Sequence, residues 1–133
     1  MAYTANMADA ARRNLSAANI LFADHLQVAG YLFGIAAECA LKAMMLEGHM
    51  KPRAPESRDA DDPFYAHFPA LRSLLRDQLQ GRSLSHVTRL VSDDAFFNHW
   101  AIEIRYAGKG QVQHAWVERW RAQAQQAVDL IGT

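Results

Sequence analysis

Val28-Ala-Gly-Tyr-Leu-Phe-Gly-Ile-Ala-Ala-Glu-Cys-Ala-Leu-Lys-Ala-Met-Met-Leu46 reads as a helix that is apolar on nearly every face, with Glu38 and Lys42 its only charges. A helix without a polar face cannot lie on the surface of a small monomer. It must run through the middle of a bundle or into an interface between subunits. Gly30 and Gly34 are four apart and share one face. Each costs a helix about 1 kcal/mol against alanine, so the two together predict the close approach of another helix. The stretch is nearly long enough to span a membrane, but two charges near its centre and two glycines argue against that.

The chain has 133 residues, half of them hydrophobic, which suits a single domain over 1–133 with a sizeable core. Lys plus Arg is 14 and Asp plus Glu is 14, so the formal net charge is zero. Proteins built for duplex DNA carry a basic excess. Duplex DNA is therefore not expected, and any nucleic-acid contact must come from a local patch. Cys39 is the only cysteine, which excludes an intramolecular disulfide and a cysteine-rich zinc site. Within the apolar helix it reads as a small buried hydrophobe rather than a nucleophile. No basic segment leads into an apolar run with a small-residue cleavage site. The expectation is a soluble, cytoplasmic protein with no membrane partner.

Working outward, Met7, Ala11, Leu15, Ala18 and Phe22, with Leu21 beside them, predict an amphipathic first helix over 7–25. Asn6, with Asp9 three residues on, predicts its N-cap. The apolar helix is expected over about 28–48, stopped by Gly48. Residues 49–66 hold three prolines and seven Asp, Glu, Lys or Arg residues, and predict a long solvated loop. Asp59, Asp61 and Asp62 within it lack the glycine and terminal glutamate of a calcium-binding loop. A third helix is expected over 68–80, with Pro69 in its first turn, Phe68, Leu71, Leu74, Leu75 and Leu79 as its stripe, and Gly81 at its end. A fourth starts near Ser83 and carries Leu84, Val87 and Val91, then Phe97, Trp100 and Ile104, with a bend or break at Ser92-Asp93-Asp94. Gly108 and Gly110 mark a turn. A fifth helix is expected from Gln111 to Ile131 with Val112, Trp116, Trp120, Ala124, Ala127 and Ile131 inward. No strand-like alternation persists. The fold class is all-α, an antiparallel bundle of about four to five helices.

The histidines form no paired metal motif. His114 and Glu118 are four apart, but two ligands on one helix do not make a zinc site. No HExxH, phosphate-cradling glycine loop or GxSxG is present, so neither metal nor cofactor is expected. Glu38 and Lys42 read either as an intrahelical ion pair or as a polar contact set to a second helix or a ligand. The segment from His99 to His114 places Arg105 and Tyr106 at the end of the fourth helix and His114 in the first turn of the fifth. Arg105, Lys109, Arg119 and Arg121 against Glu118 give 105–121 a local charge of about plus three. Arg12 and Arg13 would add to it if the first and fifth helices pack together. An arginine grips two phosphate oxygens and a histidine titrates near neutrality, a combination suited to RNA transesterification. Arg105 would stabilise charge on the pentavalent phosphorus, and His114 would move a proton to or from the ribose 2′-hydroxyl or the leaving oxygen. The alternative pairs Arg105 with Glu38 or Glu103 and makes His114 a helix cap. Under either reading a homodimer is expected, burying part of helix two or the aromatics Phe96, Phe97 and Trp100.

Three stretches carry a family likeness: Gly30 to Met45, with a glutamate shortly before Ala-Leu-Lys-Ala; His67-Phe-Pro-Ala-Leu71, opening the third helix; and Trp100-Ala-Ile-Glu-Ile-Arg-Tyr106. In order and spacing they resemble the HEPN family (higher eukaryotes and prokaryotes nucleotide-binding domain), over about residues 7–131. The resemblance implies an antiparallel, HEPN-like helical bundle that commonly dimerises. It implies one of two activities: a metal-independent ribonuclease with its site across the dimer, or a binding or assembly module. Such proteins often act as toxins beside a minimal nucleotidyltransferase, or in defence against phage. The family's nucleases use an arginine and a histidine separated by fewer residues than the eight, Tyr106 to Gln113, that part Arg105 from His114 here. His99 precedes Arg105 and gives the reverse order. The wider spacing favours a non-catalytic dimeric module that binds a nucleotide, RNA or a protein partner, with Glu38, Lys42, Tyr106, Lys109 and Arg119 as contact residues; the resemblance implies a partner of the nucleotidyltransferase type. The alternative is a toxin-like ribonuclease using Arg105 and His114.

Overall fold

A computed structural model describes residues 3–54, 56, 61–79 and 84–133. In order these form α1 (Met7–Leu21), α2 (Leu26–Glu47), a 3-10 turn at Pro63–Tyr65, α3 (Ala70–Gln78), α4 (Ser85–Ser92), a 3-10 helix at Ile102–Tyr106 and α5 (His114–Asp129). No strand occurs among the described residues, and the fold is the all-α bundle that the periodicity predicts. Asp59, Gly81 and Ser83, each given a place in the sequence reading, lie outside the described residues.

The first helix begins where its cap requires. The Asn6 side chain accepts from the Asp9 amide at 3.1 Å, satisfying one of the donors that a helix start leaves free. Ala11, Leu15 and Ala18 then turn inward. α1 ends at Leu21, short of the expected 25, and a brief connection reverses the chain into α2.

α2 is the axis of the molecule. Ala29, Phe33, Ala36, Ala37, Ala40, Leu41 and Met45 are fully buried along it. Burying each large side chain among them contributes about 1.5–3 kcal/mol. By length and composition this helix would cross a membrane, but 72% of its apolar window is buried inside the bundle.

The close approach that Gly30 and Gly34 predict is made, but within the chain. A Cβ at Gly34 would stand 1.9 Å from the Trp100 indole, and one at Gly30 would meet Val117 and Trp120 at 3.1 Å. The Trp100 Nε1 donates to the Gly30 carbonyl at 3.0 Å, an extra bond that only a close-lying ring can make. Phe96, Phe97 and Trp100 are at most 2% exposed. These aromatics are therefore core, and the expectation that they form a subunit interface is corrected.

Helix directions follow from the contacts. Val117 and Trp120 lie at Gly30, while the Gly132 amide reaches Glu47 at the other end of α2. α5 thus runs parallel to α2, a departure from the expected all-antiparallel arrangement. The long chain between them, carrying α3 and α4, makes that return possible. α1 is antiparallel to α5: Asn19 bonds Arg121, while Arg12 and Leu15 share a groove with Val128.

The fourth helix stops at Ser92, as the Ser-Asp-Asp cluster suggests, and does not resume. The Asp93 side chain accepts from the Ala95 amide at 2.9 Å and turns the chain. Phe97 and His99 then take left-handed backbones, φ 53 and 70. Phe97, Trp100 and Ile104 still point inward, but through turns and a 3-10 helix rather than one α-helix. α5 starts at His114 rather than Gln111, because Gly110 is left-handed and Gln113 extended. Its buried face is Val117, Trp120, Ala124, Ala127 and Val128, leaving the expected Val112, Trp116 and Ile131 only half-buried. The 49–66 stretch is not wholly solvated: Asp62, Pro63, Phe64 and Ala66 at its end are buried.

Candidate functional site

Two groups of polar residues are the candidates. The first surrounds the charges of α2. Glu38 is 2% exposed and Lys42 7%, and no ion pair joins them among the described residues. Each instead reaches the chain entering α3. Glu38 Oε1 lies 2.7 Å from His67 Nδ1, and its Oε2 accepts from the Phe68 amide at 2.8 Å. Lys42 Nζ donates to the Ala66 carbonyl at 3.0 Å. The intrahelical-pair reading is thus corrected in favour of contacts with a neighbouring segment. The spacing of the two charges favoured pairing on the helix, but buried groups take whichever partner satisfies the most bonds.

Burial pushes the Glu38 carboxyl above its ordinary range, against the pull of the His67 and Phe68 hydrogen bonds and the nearby positive charge of Lys42. Burial likewise lowers the Lys42 ammonium, opposed by Glu38, Cys39 and Asp62. The Cys39 thiol is pushed up by burial, which leaves it a poor nucleophile at neutral pH. No buried side-chain nitrogen or oxygen among the described residues lacks a partner. These polar groups fasten α2 to the segment that enters α3. His67 is the partner that the sequence reading did not assign, although it opens the His-Phe-Pro-Ala-Leu stretch singled out there.

The second group lies on the 3-10 helix, the turn after it and the start of α5. Gln27 of α2 anchors this part by donating from Nε2 to the Ala107 carbonyl at 2.9 Å. The Arg105 guanidinium sits 5.0 Å from the centre of the Tyr106 ring, and Tyr106 is 78% exposed. His114 is the first residue of α5. Its Nδ1 is 3.2 Å from Glu118 Oε1, and its ring meets Phe22 edge-on at 5.6 Å. No bond joins Arg105 to His114, and none joins Arg105 to Glu38 or Glu103, among the described residues.

Lys109 and Arg119 are exposed and make no hydrogen bond or ion pair among the described residues. Arg121 is occupied: it donates to Asn19 at 2.9 Å and lies 4.6 Å over the Phe22 ring. α1 and α5 do pack together, yet Arg12 and Arg13 do not join the basic segment. The antiparallel pairing sets them about 10 Å along α1 from Asn19, towards the far end of α5.

A third feature was missed. His99, weighed only as a weak proton-transfer candidate, stacks on Trp116 with ring centres 4.3 Å apart and planes at 14°. Nothing in the spacing announces this contact, because it depends on the left-handed turn at 97–99. Among the described residues no three His, Cys, Asp or Glu side chains gather into a set for a metal ion. Arg105, Tyr106, Lys109 and Arg119 are each exposed, and side chains of these types can hold phosphate oxygens and a flat ring. Comparison with protein-family models, with curated proteins and with solved structures finds no match to this chain.

Proposed function

We propose that the protein is a HEPN-like homodimeric module that binds RNA or a nucleotide without cleaving it. The observation that carries this reading is the separate engagement of Arg105 and His114. The guanidinium lies over its neighbour Tyr106 while His114 is held by Glu118 and Phe22. Acid–base cleavage needs both groups on one phosphate, which no contact within the chain provides and which only one protomer's Arg105 meeting its partner's histidine would supply; binding needs only exposed cations and a ring. Arg105, Lys109 and Arg119 supply the first and Tyr106 the second. The exposed Val28 and the half-buried Leu32, Ile35 and Cys39 on α2 support a homodimer through this helix. A partner of the nucleotidyltransferase type, and a place in a toxin–antitoxin or phage-defence pair, follow from the resemblance alone.

The test is incubation of an end-labelled mixed RNA pool with the protein in EDTA, read for both retention and cleavage. The expected result is retention that falls on Arg105→Ala, with the RNA intact. Cleavage abolished by both Arg105→Ala and His114→Ala would replace this reading with a metal-independent ribonuclease. A pool neither retained nor cut would exclude RNA as the ligand.

A further inference from the structure

We infer that His99, backed by Trp116, is a shelf on which an unpaired base of single-stranded RNA stacks, with Arg119 holding the adjoining phosphate. The inference rests on the RNA-binding reading above; it names the form of RNA and adds His99 and Trp116, which that reading does not use, to Arg119, which it does.

The shelf is built rather than incidental. Three hydrogen bonds clamp the turn before it onto α5. The Phe97 amide donates to Gln123 Oε1 at 3.0 Å, Gln123 Nε2 donates to the Ala95 carbonyl at 3.0 Å, and Trp120 Nε1 donates to the Asn98 carbonyl at 3.0 Å. With residues 95–98 held there, the left-handed backbone of His99, φ 70, delivers its imidazole onto Trp116, one turn before Trp120. A non-glycine residue in that conformation carries a strain that surrounding structure must override. Such strain collects at working surfaces, and here the fold does not need the His99 ring: it is exposed, while the core aromatics Phe97 and Trp100 on either side are buried.

Imidazole and indole together form a fixed flat surface that loses little freedom on binding. Aromatic and histidine rings receive splayed-out bases in this way, and duplexes keep their bases stacked on one another instead. Arg119 is three residues after Trp116, on the same side of α5, and is exposed without a bond or ion pair among the described residues. It is placed to meet the phosphate beside a base stacked on His99.

The experiment is fluorescence anisotropy with short labelled oligouridine and with a blunt RNA duplex, using wild type, His99→Gly, His99→Asn, His99→Phe and Arg119→Ala. Glycine and asparagine tolerate the left-handed backbone, so both variants remove the ring and keep the turn. The expected result is oligouridine binding on the order of tenfold weaker for each, restored by His99→Phe, weakened by Arg119→Ala, and weak duplex binding throughout. If wild type binds oligouridine and both ring-less variants bind it equally well, the shelf is wrong and the RNA-binding reading stands. Equal affinity for duplex and single strand has the same meaning. If wild type binds neither RNA, both fall.

Discussion

Glu38 on α2 holds two consecutive residues of a distant segment: His67 by its ring nitrogen at 2.7 Å and Phe68 by its amide at 2.8 Å. The entry to α3 is thereby registered against the central helix. Glu38→Ala would strand the buried Phe68 amide, and an orphaned buried donor costs about 1–3 kcal/mol. The variant should lose roughly 2–3 kcal/mol in urea unfolding. An unchanged midpoint would show that the contact does not hold α3 in place.

The same carboxyl carries a pH signature. Its folded pKa is raised by burial above the ordinary 4.5, so the folded state binds this proton more tightly than the unfolded chain. Its contribution favours folding at low pH and is lost as pH rises past 4.5 and through the raised value. Glu38→Gln keeps a carbonyl for the Phe68 amide and removes the titration. The stability difference between variant and wild type should therefore move in the variant's favour across that window. A difference that stays constant with pH would contradict the assignment.

Lys42 has the opposite sign. Burial lowers its pKa from 10.5, so the unfolded chain binds this proton more tightly. Its contribution is present above 10.5 and is lost as pH falls through the lowered folded value. Wild type compared with Lys42→Met should gain relative stability as pH rises towards 10.5, which denaturation at several alkaline pH values will check. Equal slopes for the two proteins would refute it.

The two glycines of α2 make a paired prediction. Alanine at Gly34 would put a methyl inside contact distance of the Trp100 ring, at 1.9–2.4 Å from its nearest atoms. Overpacking of this kind costs about 1–3 kcal/mol or more, beyond the roughly 1 kcal/mol that alanine returns to a helix. Gly34→Ala should be clearly destabilised. At Gly30 the neighbouring side chains stand at 3.1–3.3 Å and need shift only slightly, so Gly30→Ala should stay near wild type. Thermal unfolding of both decides the matter, and equal melting temperatures would disprove the asymmetry.

If Arg105 and Arg119 meet phosphates, alanine at either should weaken single-stranded RNA binding for every sequence alike. The slope of log affinity against log salt should fall by about 0.7 per arginine. Titrations at several salt concentrations measure it, and an unchanged slope would remove that arginine from the interface.

The parts of the fold legible in the sequence were those set by local chemistry. The Asn6 cap, the burial of α2 and the stop at Ser92-Asp93-Asp94 each follow from neighbouring residues. The 93–101 turn was hidden because Phe97, Trp100 and Ile104 recur at helical spacing while facing inward through non-helical backbone. Left-handed Phe97 and His99 are choices that a bulky side chain rarely makes, so no propensity signals them. At the candidate site the exposed residues Arg105, Tyr106, Lys109 and Arg119 were identified from charge and residue type. Their partners were not, because the approach of Tyr106 to Arg105, or of Trp116 to His99, is decided by tertiary packing. The pairing of Glu38 with His67 spans 29 residues and has no periodicity to betray it.

The parallel seam between α2 and α5 has a kinetic consequence. α1 and α2 are joined by a short connection and meet as soon as both are helical. α5 can seat Val117 and Trp120 against Gly30 only after the whole middle of the chain has been gathered in. Closing so long a loop costs entropy before any contact repays it. The hairpin of α1 and α2 is therefore expected to be structured early in folding, and the seating of Trp120 to come late. In refolding experiments, substitutions along this seam should accelerate unfolding more than they slow folding.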